Sequence, residues 1–214
     1  MAADYIILPL FPLSTVVFPG EIIHLHIFET RYKQLINEVH STGLTFGIFP
    51  YFEGKDNRMA TEVELVEISK TYEDGKMDVR LRGTNLLRVV DFFATKPGRL
   101  YPGGEVERIG FFDNFDLDLN ISIIAQLEKM YEVMNIDNIT LKSPMEFRTS
   151  QIAHKVGFSN DQELQFLLFT NEKLRAEYML KHLEVFVPQV ILMENLRKRA
   201  ELNGHFQNLI PPNI

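Results

Sequence analysis

Residues 8–32 read LPLFPLSTVVFPGEIIHLHIFETRY. Proline fixes φ and carries no backbone N–H, so Pro9, Pro12 and Pro19 forbid a continuous helix here and leave short extended runs. Gly20 completes the punctuation. Tyr5 to Leu10 and Ile22 to Ile27 read as strands, and in the second Ile23, Leu25 and Ile27 alternate with His24 and His26. A helix follows, because Tyr32, Leu35, Ile36 and Val39 fall at i, i+3, i+4 and i+7 and form one apolar stripe. Glu29 is placed in its first turn, where the helix dipole favours an anion, and Gly43 lies just past its end.

The same β-rich texture continues to about residue 112. Leu44 to Phe52 is a dense apolar run, read as a buried strand, and Glu53 to Asn57 is a loop. Met59 to Lys70 reads as a strand with Val63, Leu65 and Ile68 inward and a bulge near Val66. Asp74-Gly75 is a hairpin signal, expected to form a type I′ turn with positive φ at both positions. Returning strands are expected over Met77–Leu81 and Leu86–Phe93, a loop over Thr95–Gly104, and a closing strand over Glu105–Phe111.

Beyond residue 112 the breakers thin out and helical spacing takes over. Ile123, Ile124, Leu127, Met130, Tyr131 and Met134 mark one amphipathic helix. Ser143-Pro144-Met145-Glu146 has the form of a helix start, and that helix is expected to run to Gly157. Ser159 and Gln162 repeat the capping box before Leu164–Phe169, a run apolar on nearly all sides and expected at the centre of a bundle. Thr170 is expected to cap a last helix ending near Asn203-Gly204 and kinked at Pro188. The fold class is therefore α+β: a β-rich subdomain with one early helix over residues 1–112, then a four-helix α subdomain over 113–214.

Composition narrows the function classes. The 214 residues carry a net charge of -7, which argues against a nucleic-acid binder with a concentrated basic surface. No cysteine is present, which excludes disulfides, thiolate catalysis and Cys-ligated metal sites. The N-terminus lacks the basic start and continuous apolar core of a signal peptide, and no run approaches a membrane span. The expected compartment is the cytoplasm.

Several residue groups are candidates for chemistry or binding. His24 and His26 share a strand face, but no third metal ligand is evident, and a solvated face explains them equally well; no metal or other cofactor is expected. Arg80, Arg82, Arg88, Arg99 and Lys96 make the first half locally basic, with Glu62, Glu64, Glu67 and Glu73 nearby in sequence. Glu105, Glu107, Asp113, Asp116 and Asp118 could suggest acid–base work, yet no partnering base or nucleophile is recognisable. Phe28-Glu29-Thr30-Arg31-Tyr32 offers Arg and Tyr of the kind found at recognition hot spots, against the simpler reading of a helix start. Phe49, Tyr51 and Phe52 end a strand at a loop. Leu86 and Leu87, and Phe92 and Phe93, are adjacent pairs, so one member of each faces outward unless both sheet faces are covered. The candidate peptide-binding residues are thus Phe28, Glu29, Arg31, Tyr32, Phe49, Tyr51, Phe52, Leu86, Leu87, Phe92 and Phe93.

The opening stretch resembles the N-terminal, substrate-binding domain of Lon proteases. The matching residues are Leu8-Pro9-Leu10-Phe11-Pro12-Leu13, Phe18-Pro19-Gly20-Glu21, and Leu25, Ile27, Phe28, Glu29, Arg31 and Tyr32. Phe46-Gly47-Ile48, Ala60-Thr61-Glu62-Val63 and Asp74-Gly75-Lys76-Met77 with Gly83 follow in the family's order. After Gly83 the chain departs from the family's Arg-Phe-Arg, with Asn85-Leu86-Leu87-Arg88 keeping only the final Arg. The resemblance implies a PUA-like mixed β-barrel followed by a helical bundle. It also implies a binding role toward unfolded polypeptide or a partner protein, as an adaptor or regulator of a protease. The chain ends at Ile214 and contains no G-x-x-x-x-G-K-[ST] phosphate loop and no Ser-Lys peptidase motif, so the expectation is a stand-alone, non-enzymatic recognition domain. The alternative is a PUA-like protein that binds RNA or a small ligand.

Overall fold

The computed structural model describes residues 5–55, 57–137 and 139–206; Asp56, in the expected 53–57 loop, lies outside them. The element order is β1 (Tyr5–Leu13), β2 (Ile22–Ile27), α1 (Thr30–Thr42), β3 (Phe46–Pro50), β4 (Met59–Thr71), β5 (Met77–Phe93), β6 (Gly103–Arg108), α2 (Leu117–Met134), α3 (Asn160–Leu167) and α4 (Glu172–Phe206). The chain divides into two compact units. One comprises Met1–Asn114 and Arg148–Arg175, the other Phe115–Phe147 and Ala176–Ile214.

The first unit is built on a six-stranded mixed sheet of order β2-β5-β4-β3-β1-β6, and a β5–β6 pairing closes it into a barrel. β1 runs parallel to β3; the other pairs are antiparallel. The ring therefore passes through β5, β4, β3, β1 and β6, and β2 hangs from the first half of β5. Closure depends on the length of β5. The two strands expected on either side of Gly83 are one continuous strand of 17 residues, which pairs with β2 through Met77–Arg82 and with β6 through Leu87–Phe93. Gly83 sits at the changeover, where a Cβ would stand 2.3 Å from the Phe18 carbonyl oxygen; only glycine lets the two backbones approach so closely.

The 72–76 hairpin differs from the expected type I′ turn. Gly75 alone has positive φ, its N–H donates to the Tyr72 carbonyl at 2.9 Å, and the Tyr72 N–H donates to the Lys76 carbonyl. This is the longer hairpin loop, with one left-handed glycine after an ordinary turn. The bulge expected near Val66 appears as a register shift between Leu65 and Glu67.

α1 buries Tyr32, Leu35, Ile36 and Val39, and Gly43 ends it in the left-handed conformation. Glu29 stands one position earlier than expected, as the N-cap: its carbonyl accepts from Lys33, and its side chain caps nothing. The α1 stripe joins Phe11, Phe46, Ile48, Val63, Val79 and Leu81 in one core cluster. A second cluster, of Leu8, Leu10, Ala60, Leu87, Val89 and Val106, fills in against the β6 side.

Ser143–Gly157 does not form the expected helix. It makes one turn at Ser143 and two short 3-10 turns, Thr149–Gln151 and Ala153–Lys155. Side chains have taken the backbone groups a helix would need. Buried Asn120 donates to the carbonyls of Pro144 and Phe147. The Thr149 N–H and hydroxyl both donate to the Glu172 carboxylate, at 2.6 and 3.1 Å. α3 carries the expected Ser159–Gln162 capping box. It belongs to the barrel unit rather than to the centre of a bundle, because Phe166 packs edge-on against Phe18 at 5.1 Å. Asn171, not Thr170, caps α4, its Oδ1 accepting from the Leu174 N–H at 3.0 Å.

In the second unit, Asp116 caps α2 through the N–H groups of Asp118 and Leu119, and Ile123, Leu127 and Met130 are buried. Along α4 the buried stripe is Ala176, Met179, Leu183 and Val187, and Pro188 lies inside the helix. No described helix is long and apolar enough to cross a membrane.

Candidate functional site

In the barrel unit, a groove of about 740 Å³ opens between β1 and β2 and is walled by the ends of β3 and β5. Its floor is rigid. Phe11 of β1 stacks on Tyr32 of α1 with ring centroids 3.8 Å apart, and Pro12, Leu13, Leu25 and Ile27 extend the apolar surface. Burial raises the Tyr32 phenol above its usual range, which keeps it a neutral wall. The rim is aromatic and open to water: Phe28, Tyr51 and Phe92 are 59%, 62% and 43% exposed. Phe92 stacks against half-buried Phe49 at 5.9 Å.

The Glu29, Arg31 and His26 side chains that line the groove have partners of their own. Arg31 holds Glu29 at 2.7 Å and lies over the Tyr32 ring, 4.7 Å from its centroid. His26 Nδ1 lies 2.6 Å from Asp78, whose other oxygen accepts from Tyr72 at 2.7 Å. Those two hydrogen bonds, His26 first, hold the Asp78 carboxyl below its usual range. Residues 94–102 add a further wall through Ala94 and Pro102. They are latched to α1: Arg99 bonds both oxygens of Glu38, the Tyr101 hydroxyl donates to Glu38 at 2.7 Å, and the Leu100 N–H donates to Gln34. Burial first, and the bond to Glu38 second, push the Tyr101 phenol up to about 12.

Seven of the eleven sequence candidates line this groove: Phe28, Glu29, Arg31, Tyr32, Phe49, Tyr51 and Phe92. Phe52 and Phe93 are half-buried and stand outside its lining. Leu86 and Leu87 are corrections: both are fully buried, because the middle of β5 is covered on both faces and neither side chain reaches a surface. Sequence reasoning missed Pro12, Leu13 and Leu25 as groove residues. It also missed the 94–102 wall, whose latch joins residues some 60 positions apart and leaves no local signal.

The other candidates have structural employment. Arg80 pairs with Glu67, Arg82 with Glu64, Arg88 with Glu107 and Arg99 with Glu38, so these arginines form a mixed charged surface. Among the acidic candidates, Glu107 holds Arg88, Asp113 holds Arg148 and Asp116 caps α2. Among the described residues no group of three or more His, Asp and Glu is arranged to hold a metal ion.

The profile of the family described as the ATP-dependent protease La (LON) substrate-binding domain matches residues 7–185. Among solved structures, a Lon N-terminal domain protein from Xanthomonas campestris is similar, with 24% identity and a TM-score of 0.61 over 82% of this chain and 98% of that one. The N-terminal domain of the Mycobacterium avium complex Lon protease is similar at 14% identity and a TM-score of 0.59, over 84% and 98%. At these identities the likeness concerns the fold. No curated protein matches the sequence.

Proposed function

The chain belongs to the Lon substrate-binding domain family, and on that premise we propose that it captures unfolded polypeptide segments in the β1–β2 groove, without catalysing a reaction. The observation that carries this reading is the chemistry of the groove: an apolar floor, a rim of exposed Phe28, Tyr51 and Phe92, and an Arg31–Glu29 pair whose charges offset each other. Exposed aromatic surface around a cleft marks an interaction site. Paired charges give no reason to attract phosphate, and the ion-paired arginines elsewhere in the unit weaken the RNA reading in the same way. In this role the protein serves in the cytoplasm as an adaptor or regulator that hands segments to a protease.

The test is titration of the purified protein with a fluorescein-labelled peptide, Thr-Leu-Thr-Phe-Thr-Leu-Thr, followed by fluorescence anisotropy. Saturable binding at micromolar concentration, weakened in a Phe28→Ser/Tyr51→Ser variant, is expected. Absence of binding, or binding indifferent to both rim substitutions, removes the groove from this role.

A further inference from the structure

We propose that the groove takes its polypeptide as an added β-strand, hydrogen-bonded antiparallel along the open edge of β2. This rests on the reading that the groove binds polypeptide at all, and it names the mode. β2 terminates the sheet order and, among the described residues, pairs with β5 alone. The Gly83 N–H donates to the Glu21 carbonyl at 2.9 Å, which sets the phase of the pairing. In an antiparallel ladder successive residues turn their backbone groups to opposite sides. Ile23, Leu25 and Ile27 therefore address β5, and Ile22, His24 and His26 present N–H and C=O groups on the side away from β5. The second half of this strand lines the groove.

The facing wall offers no comparable template. The Leu10 N–H donates to the Pro102 carbonyl, on the side of β1 away from β3, and the Leu13 carbonyl accepts from Tyr51, on the β3 side. By the same alternation, the β1 residue that addresses the groove is Pro12, which has no N–H to give. β2 by contrast holds no Lys, no Pro and no bulge over Ile22–Ile27, three of the devices that commonly protect an edge. Because Arg31 is already paired with Glu29, and His26 is already bonded to Asp78, the walls offer a bound segment no unpartnered ionic group, which suits an uncharged one. Its alternate side chains, on the side that Leu25 and Ile27 face, would lie over the groove floor, and the rest would face water.

The experiment needs no change in the protein. The Thr-Leu-Thr-Phe-Thr-Leu-Thr peptide is compared with two forms, one N-methylated at the inner Thr positions and one at Leu and Phe. With Leu and Phe inward, antiparallel addition puts the Thr N–H groups on β2, so methylating them weakens binding by about tenfold or more while methylating Leu and Phe does not. Equal effects of the two patterns overturn the proposal and leave groove binding standing; the reverse asymmetry overturns the antiparallel form. If the unmethylated peptide does not bind, groove binding fails and the strand mode with it. A His24→Pro variant, which removes one open-side N–H from β2, gives an independent reading: it loses affinity by a similar factor while its circular dichroism and urea midpoint stay near those of the parent. Dimerisation that His24→Pro abolishes, seen by light scattering, would assign the edge to a second copy of the chain and overturn the peptide as occupant.

Discussion

Phe11 and Tyr32 lie ring on ring, 3.8 Å between centroids, and this stack ties the first strand to the first helix beneath the groove. The pair is buried, whereas Tyr51 at the rim is exposed, so floor and rim residues should separate in experiment. Phe11→Ala is expected to cost about 3–5 kcal/mol, since it opens a cavity in a close-packed core. Tyr51→Ser is expected to change stability by only about 0.5 kcal/mol while weakening peptide binding. Urea denaturation and anisotropy titration of the two variants check this; a large stability loss in Tyr51→Ser would show that the rim is part of the core.

Gly83 marks where β5 leaves β2 and turns toward β6. A methyl group there would stand 2.3 Å from the Phe18 carbonyl oxygen and 3.2 Å from the Thr61 methyl. Backbone cannot rotate aside as a side chain can. Gly83→Ala is therefore expected to destabilise by about 3 kcal/mol, the upper part of the usual range for overpacking. Gly43→Ala serves as the comparison, because it meets no atom within 4 Å and suffers only the strain of its positive φ. A Gly83→Ala loss smaller than that of Gly43→Ala would mean that the two strands approach less closely than described.

The strands and the first helix were legible in the sequence because their signals are local. Ile23–Ile27 alternates apolar with His and lies in a strand over Ile22–Ile27, and the α1 stripe and the Ser159–Gln162 box are read from spacings of three and four. Expectations failed where a distant side chain decides the backbone. Ser143–Glu146 has the letters of a helix start, but Asn120 takes the carbonyls of Pro144 and Phe147, and Glu172 takes Thr149. Closure of the barrel through β5–β6 likewise depends on a pairing, Val89 with Val106, that no window of neighbouring residues contains. The groove was half visible: its aromatic rim stood out as adjacent aromatics at strand ends. Leu86 and Leu87 looked the same and proved buried, since period-2 patterning cannot say whether a second face is covered.

Arg175 is fully buried, with its guanidinium 4.3 Å from the Phe111 ring centre and within 5.6 Å of those of Phe166 and Phe18. Burial lowers its pKa to about 10, with the nearby Glu172 and Glu21 charges opposing that fall. Among the described residues no acceptor meets its three nitrogens. A desolvated cation held only by ring faces and nearby charge recovers little of its solvation, so an apolar side chain of similar length gives up little by taking its place. Arg175→Met is therefore expected to leave stability within about 1 kcal/mol of the parent or to raise it. Arg175→Ala should cost about 2–5 kcal/mol through the cavity it opens. Thermal unfolding of both decides the matter, and a loss above about 3 kcal/mol in Arg175→Met would show that the charge itself is needed.

His154 bridges two carboxylates, Glu163 at 2.7 Å and Glu21 at 3.2 Å, and so clips the turn after Pro19 to α3 within the barrel unit. The hydrogen bonds to Glu163 and then Glu21 raise its pKa to about 10 against the opposing effect of burial. The unfolded chain holds an ordinary imidazole near 6.5. The folded state therefore binds the proton more tightly, and the stabilisation is complete below about pH 6.5 and is lost as pH rises toward about 10. About a third of the side chain is exposed, so screening by water limits the contribution to about 1–2 kcal/mol. Tyr101, raised to about 12 in the folded state, adds its own decline only as pH reaches the ordinary phenol value of about 10, and a comparison with His154→Gln subtracts it. Urea midpoints measured at pH 6, 8 and 10 should fall for the parent, and His154→Gln, which keeps a donor but cannot hold the charge, should lack this component of the decline. Parallel profiles for the two proteins would move the pH dependence to another group and leave the His154 bridge a neutral hydrogen bond.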